Sequence, residues 1–160
     1  MIRVFRPTRI ALALALVLSI GAAAVVQADS GGVKVLDAGL VALPQAQVGT
    51  TLSGVTAGGL PWEIAHGSAQ LYSNGRLHVQ VQGLVLAAGA NAGINPIGTA
   101  EAIVTCGDAV AATSGVVPYS RQGDATINQT VQLPSQCLAP AVFFAGMTPA
   151  GPRWFAVTGW

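Results

Sequence analysis

The chain reads as all-β: a single β-sandwich, immunoglobulin-like or jelly-roll-like, of about 7–9 strands. Three observations carry this. Leu77, Val79 and Val81 alternate with His78, Gln80 and Gln82, the period of a strand with one dry and one wet face. Short apolar stretches of this kind recur, separated by turns rich in Gly, Pro and Asn. Beyond residue 28, no stretch shows the 3.6-residue stripe of an amphipathic helix.

Residues 1–28 stand apart from the predicted domain. Arg3, Arg6 and Arg9 precede an apolar run from Ile10 to Val26, and Val26-Gln27-Ala28 ends in the small residues of a processing site. The expectation is an export signal cleaved between Ala28 and Asp29. The competing reading is a retained anchor, but the run is short and rich in Ala for a full span. With cleavage, no stable membrane span is expected. Residues 29–50 read as a lead with a possible edge strand, and 51–160 as the sandwich.

In chain order, Val33 to Leu36 is a short first strand, and Gly39 to Gly49, with Pro44, an extended edge segment or loop. Thr51 to Thr56 is a strand ended by Ala57-Gly58-Gly59. The hairpin spans Gly67 to Leu86. A two-residue Asn74-Gly75 turn would put Leu71 on the His78 face. A three-residue Ser73-Asn74-Gly75 loop puts Leu71 opposite Leu77 and Ala69 opposite Val79. Burial selects the second register, because a one-residue slip would turn every apolar side chain to water. The apolar run Gly83 to Leu86 implies cover on both faces or a bend at Gly83.

Ala87 to Gly98 reads as loop, Thr99 to Cys106 as strand, and Ala109 to Val117 as its partner. In Asp124 to Leu133, Ala125, Ile127, Val131 and Leu133 face inward. Gln129 breaks that set, which implies a bulge or an exposed end. Ala141 to Ala145 and Arg153 to Trp160 are the last two strands. Abundant Ala and Gly imply a core of small residues with a few aromatics.

Charge excludes some partners. Beyond Ala28, four basic residues (Lys34, Arg76, Arg121, Arg153) stand against six acidic ones, a net of −2. Scattered, faintly acidic charge offers no footprint for nucleic acid or anionic lipid.

Few residues could carry chemistry. Cys106 and Cys137 are the two cysteines, and in an exported chain they read as a structural disulfide. His66 and His78 are expected on the wet face, about 13 Å apart at about 3.3 Å per residue, too far to share a metal. No Gly-x-Ser-x-Gly or His-Glu-x-x-His pattern occurs, so no catalytic residue, cofactor or metal is implied. Trp154 and Trp160 share one parity of the last strand, and Phe155 and Val157 the other. Facing outward, the tryptophans would stack on a sugar ring or a partner. Facing inward, they supply bulk to an Ala-rich core, the commoner fate of large aromatics.

The stretches Gly58–Trp62 and Asn74–Ile97, the strand ending at Cys106, the Leu133–Pro140 corner and the closing Trp154–Gly159 segment together resemble a family of uncharacterised secreted bacterial proteins. The resemblance covers most of the chain after the signal. It implies export and a β fold with paired cysteines, and it carries no activity. The expected function is therefore that of an exported non-enzymatic protein, secreted or associated with the cell envelope. It would act through an interaction surface toward a glycan or protein partner, or as an envelope component. The alternative is a carbohydrate- or peptide-binding module using Trp154 and Trp160, and a small hydrolase ranks last.

Overall fold

A computed structural model describes residues 31–159. The export signal, the Ala28–Asp29 junction and Trp160 lie outside the described residues. In chain order the strands are β1 (Lys34–Ala42), β2 (Thr51–Leu52), β3 (Val55–Thr56), β4 (Trp62–Glu63), β5 (His66–Tyr72), β6 (Arg76–Gln82) and β7 (Val85–Leu86). They continue as β8 (Thr99–Cys106), β9 (Ala109–Thr113), β10 (Val117–Pro118), β11 (Ala125–Thr130), β12 (Pro140–Thr148) and β13 (Gly151–Thr158). The fold is all-β, with one short 3-10 turn at Gln45–Gln47.

Alternation in β5 and β6 becomes pairing in the register that burial demands. Leu71 faces Leu77 and Ala69 faces Val79, and all four are buried. Gly75 takes φ +83°, the left-handed conformation that closes a three-residue loop. Its N–H donates to the Tyr72 carbonyl at 2.9 Å. β11 pairs with the other edge of β6 and adds Ala125 and Ile127 to the same dry face. Gln129 pairs in register with Leu77, half-exposed and one residue from the end of β11, so of the two expectations the bulge is not there.

Nine of these strands form one continuous curled sheet, in the order β10-β8-β12-β13-β1-β5-β6-β11, with β9 also paired to β8, while β2 pairs with β3 and β4 with β7 as separate two-stranded ladders. β1 joins its two halves. Lys34 to Gly39 pair with β5, and Leu40 to Ala42 pair with β13. The segment expected to be a lead with an edge strand is therefore hydrogen-bonded on both sides, and the boundary drawn at residue 50 falls inside the fold. The reason is that a strand's place is decided by who pairs with its backbone. Most β1 side chains are exposed or half-exposed, so their pattern carries little trace of that central position.

Two further expectations change. Thr51 to Thr56 is a hairpin, β2 against β3, turning at Ser53-Gly54. β12 and β13 run longer toward their shared turn than expected, because Gly146 and Pro152 join the ladder.

The dry sides of both halves meet in one core. Ala69, Leu71, Leu77, Val79, Val81 and Ile127 come from one half, and Ala102, Val104, Val142, Phe144 and Ala156 from the other. Aromatics fill one part of it. Trp62 stacks on Phe155 at 3.9 Å, and Tyr119 meets Phe144 edge-on at 5.1 Å. Gly146 makes room: a Cβ there would lie 2.1 Å from Phe155 Cε2.

The central strands β8, β12 and β13 are buried on both faces. Their second face carries Glu101, Ile103, Phe143, Ala145, Trp154 and Val157 in register. The chain from Leu52 to Gly58 lies along it. Val55 is buried, and the backbone of Gly58 donates to the Trp154 carbonyl at 3.1 Å. A strict two-layer picture, in which only one parity of β13 is inside, does not hold, and the register shift at Phe144/Ala145 puts Val157 on the face of Trp154 and not, as plain alternation has it, with Phe155. Trp154 and Phe155 are adjacent and both buried.

Candidate functional site

The wet face of the β1–β5–β6–β11 half is built by the same alternation that builds the core. Cross-strand register assembles it into rows. Asp37, Gln70, His78 and Asn128 form one row, and Ser68, Gln80 and Thr126 the next. His66 and Gln82 lie beyond at one end, and Tyr72, Arg76 and Thr130 at the other. The result is a polar face four strands wide, dominated by amides and hydroxyls.

Its charged groups are engaged within the protein. Lys34 Nζ donates to Asp37 Oδ2 at 2.7 Å. That hydrogen bond holds the Lys34 pKa above, and the Asp37 pKa below, its ordinary value. Arg76 lies over the Tyr72 ring, 3.8 Å from its centroid. Asp124 Oδ1 accepts the Gly83 N–H at 3.0 Å. His78 Nδ1 and Asn128 Oδ1 are hydrogen-bonded, which leaves His78 only half-exposed.

Three grooves open on this face. One, of about 470 Å³, lies among Tyr72, Arg76, His78 and Asn128. A second, of about 590 Å³, runs between Gln80, Gln82, Asp124 and Thr126. A third, of about 250 Å³, is bounded by His66, Ser68, Gln80 and Gln82. Gln80 and Gln82 line both the second and the third.

The residues singled out from the sequence fall elsewhere or apart. Cys106 and Cys137 are bonded and tie the end of β8 to the corner before β12. His66 and His78 share the polar face. Among the described residues no group of three His, Cys, Asp or Glu side chains is placed to hold a metal ion. Trp154 is fully buried, and its Nε1 has no partner among the described residues. Its expected companion Trp160 is outside the described residues.

The second face of the sheet carries an oddity. Glu101 and Trp154 both sit across from Ala145, and Glu101 is almost wholly buried, which raises its pKa through desolvation. On the core side, burial raises the Tyr119 pKa, helped by the charge of Asp124. The Tyr119 hydroxyl donates to the Leu84 carbonyl.

The amide rows are what sequence reasoning passed over. The signal was present in Gln70, Gln80, Gln82, Thr126 and Asn128, but outward polar positions read equally as ordinary solvated surface. Only strand order shows that they adjoin. Comparison with protein-family models, curated proteins and solved structures finds no match to this chain. Among the described residues no helix is long and apolar enough to cross a membrane.

Proposed function

We propose that the chain is an exported, non-enzymatic protein of the cell surface or extracellular space. It works through the polar face of β5, β6 and β11 as an interaction surface or envelope component. The observation that carries this reading is the adjacency of Gln70, Gln80, Gln82, Thr126 and Asn128 on one grooved face. The disulfide supports an oxidising compartment. In this reading the two halves of the curled sheet are the layers of a sandwich joined through β1. The version using Trp154 and Trp160 loses the first of them, since Trp154 is core, and the second lies outside the described residues.

The test is cosedimentation of the exported chain with cell-envelope preparations. The Gln80→Ala/Gln82→Ala/Thr126→Ala variant should lose retention, while Asp108→Ala, on the exposed turn between β8 and β9 in the other half of the sheet, should keep it. Equal retention of both variants would overturn the assignment of the face.

A further inference from the structure

The chemistry of this face selects a class of ligand. We infer that it receives an uncharged polysaccharide chain, lying along the grooves beside β6 and β11. This rests on the reading of the face as the interaction surface.

The free groups on the face are dual in character. Ser68, Gln80, Gln82, Thr126 and Thr130 are all exposed on the strands, and among the described residues their side chains make no hydrogen bond within the protein. Each amide offers an acceptor oxygen and two N–H donors, and each hydroxyl can do both. Sugar hydroxyls have the same double capacity, so every unengaged group finds a complement whichever way the hydroxyl turns.

Charge argues the same way. Lys34 is bridged to Asp37, Arg76 is stacked on Tyr72, and Asp124 accepts from the backbone of Gly83. Among the described residues this face carries no unengaged run of one sign to draw a polyanion or a polycation. A protein partner needs apolar or aromatic anchors at the centre of its interface. Among the described residues the exposed large hydrophobics are Val33, Val35, Val41, Leu60, Val110, Val116 and Leu138. Val35 and Val41 belong to β1 and none to β5, β6 or β11, and the aromatic of these strands, Tyr72, lies at one end of the face with Arg76 over its ring.

Shape and stiffness fit a chain. From Arg76 to Gln82 the face runs about 20 Å at about 3.3 Å per residue, enough for several sugar rings. The first two grooves follow one another along this line, from the Tyr72–Arg76 stack to Asp124. The amides project from paired strands, so little backbone freedom is lost on binding.

Affinity gel electrophoresis of the exported chain tests this, with amylose, dextran, laminarin and xylan as neutral polymers and alginate as a polyanion. At least one neutral polymer should retard the chain, at low and at high salt alike. The Gln80→Ala/Gln82→Ala/Thr126→Ala variant should weaken that binding about tenfold or more, as loss of several hydrogen bonds implies. Circular dichroism should show it folded as the parent. Retardation by no neutral polymer, or by alginate alone and only at low salt, would overturn the ligand class. If envelope retention still depended on the face but vanished after protease treatment of the envelope, the partner would be a protein. The face would then stand and the polysaccharide would not. Unchanged binding of the triple variant to both envelope and polymer would overturn the face itself.

Discussion

Gln129 closes the curl of the sheet by bonding to both backbone groups of Gly115. Its Oε1 accepts the Gly115 N–H at 2.5 Å, and its Nε2 donates to the Gly115 carbonyl at 3.2 Å. β11 ends the sheet on one side, and Gly115 lies between β9 and β10 at the other. One side-chain amide thus does at the seam what a neighbouring strand does elsewhere. It satisfies the backbone of one terminal strand region and pins two edges that would otherwise be open.

Replacing Gln129 by Leu should cost about 1–2 kcal/mol in urea unfolding, since the Gly115 N–H loses its acceptor and the Gly115 carbonyl keeps only the Ser114 hydroxyl. Amide exchange at Gly115 and Val116 should quicken more than at the core of β6. In Gln129→Glu the ionised side chain can accept but not donate. Its deficit should shrink once the pH falls below about 4.3, where a carboxylic acid can do both. A deficit independent of pH would mean that the seam is held by something other than this pair.

The hairpin register makes a sharp contrast between adjacent residues. Val79 is fully buried opposite Ala69, while His78 is on the polar face beside Asn128. Val79→Asp should abolish folding, because an unpaired carboxylate has no compensation in that core. His78→Asp should change stability by about 1 kcal/mol or less. Circular dichroism and thermal melts of both variants check this, and equal effects would contradict the observed register.

The Cys106–Cys137 bond spans 31 residues of sequence, a loop that holds β9, β10 and β11. On loop-entropy grounds it contributes about 3–4 kcal/mol. Mass spectrometry of the native protein should find no free thiol. The Cys106→Ser/Cys137→Ser double variant should melt at a clearly lower temperature while keeping its strand content in the cold.

Glu101 gives the pH dependence a sign. Burial lifts its pKa above the ordinary 4.5, so the folded state holds this proton more tightly than the unfolded state does. Its neutral form is tolerated below 4.5. As the pH rises through the folded-state value, stability falls. Glu101→Gln should therefore be more stable than the parent at pH 7 and closely similar at pH 4. Melting curves at the two values decide it, and a variant less stable at pH 7 would show that the ionised carboxylate has a partner.

Phe155 depends on the absence of a side chain across from it. A Cβ on Gly146 would lie 2.1 Å from Phe155 Cε2, so Gly146→Ala should cost about 1–3 kcal/mol by overpacking. Pairing it with Phe155→Leu should restore part of the loss. The same chemical-unfolding series measures both.

The sequence by itself determined the local alternation. Leu71, Leu77, Val79 and Val81 inside, Gln80 and His66 outside, the left-handed Gly75 and the Cys106–Cys137 bond all follow from period-two patterning, turn chemistry and cysteine pairing. These depend on residues close in sequence, or on a pair with no competing partner. Tertiary structure decided what depends on distant neighbours. β1 became central because β5 and β13 both pair with its backbone, a fact that its half-exposed side chains do not encode. Gln129, an interruption by pattern, became a closure because Gly115 came within reach. Trp154 and Phe155, which alternation assigns to opposite faces, are both buried because residues 52–58 cover the side that would otherwise be wet. The amide face arose in the same way: periodicity turns each of its side chains outward, but only strand order sets Gln80 beside Thr126 and His78 beside Asn128.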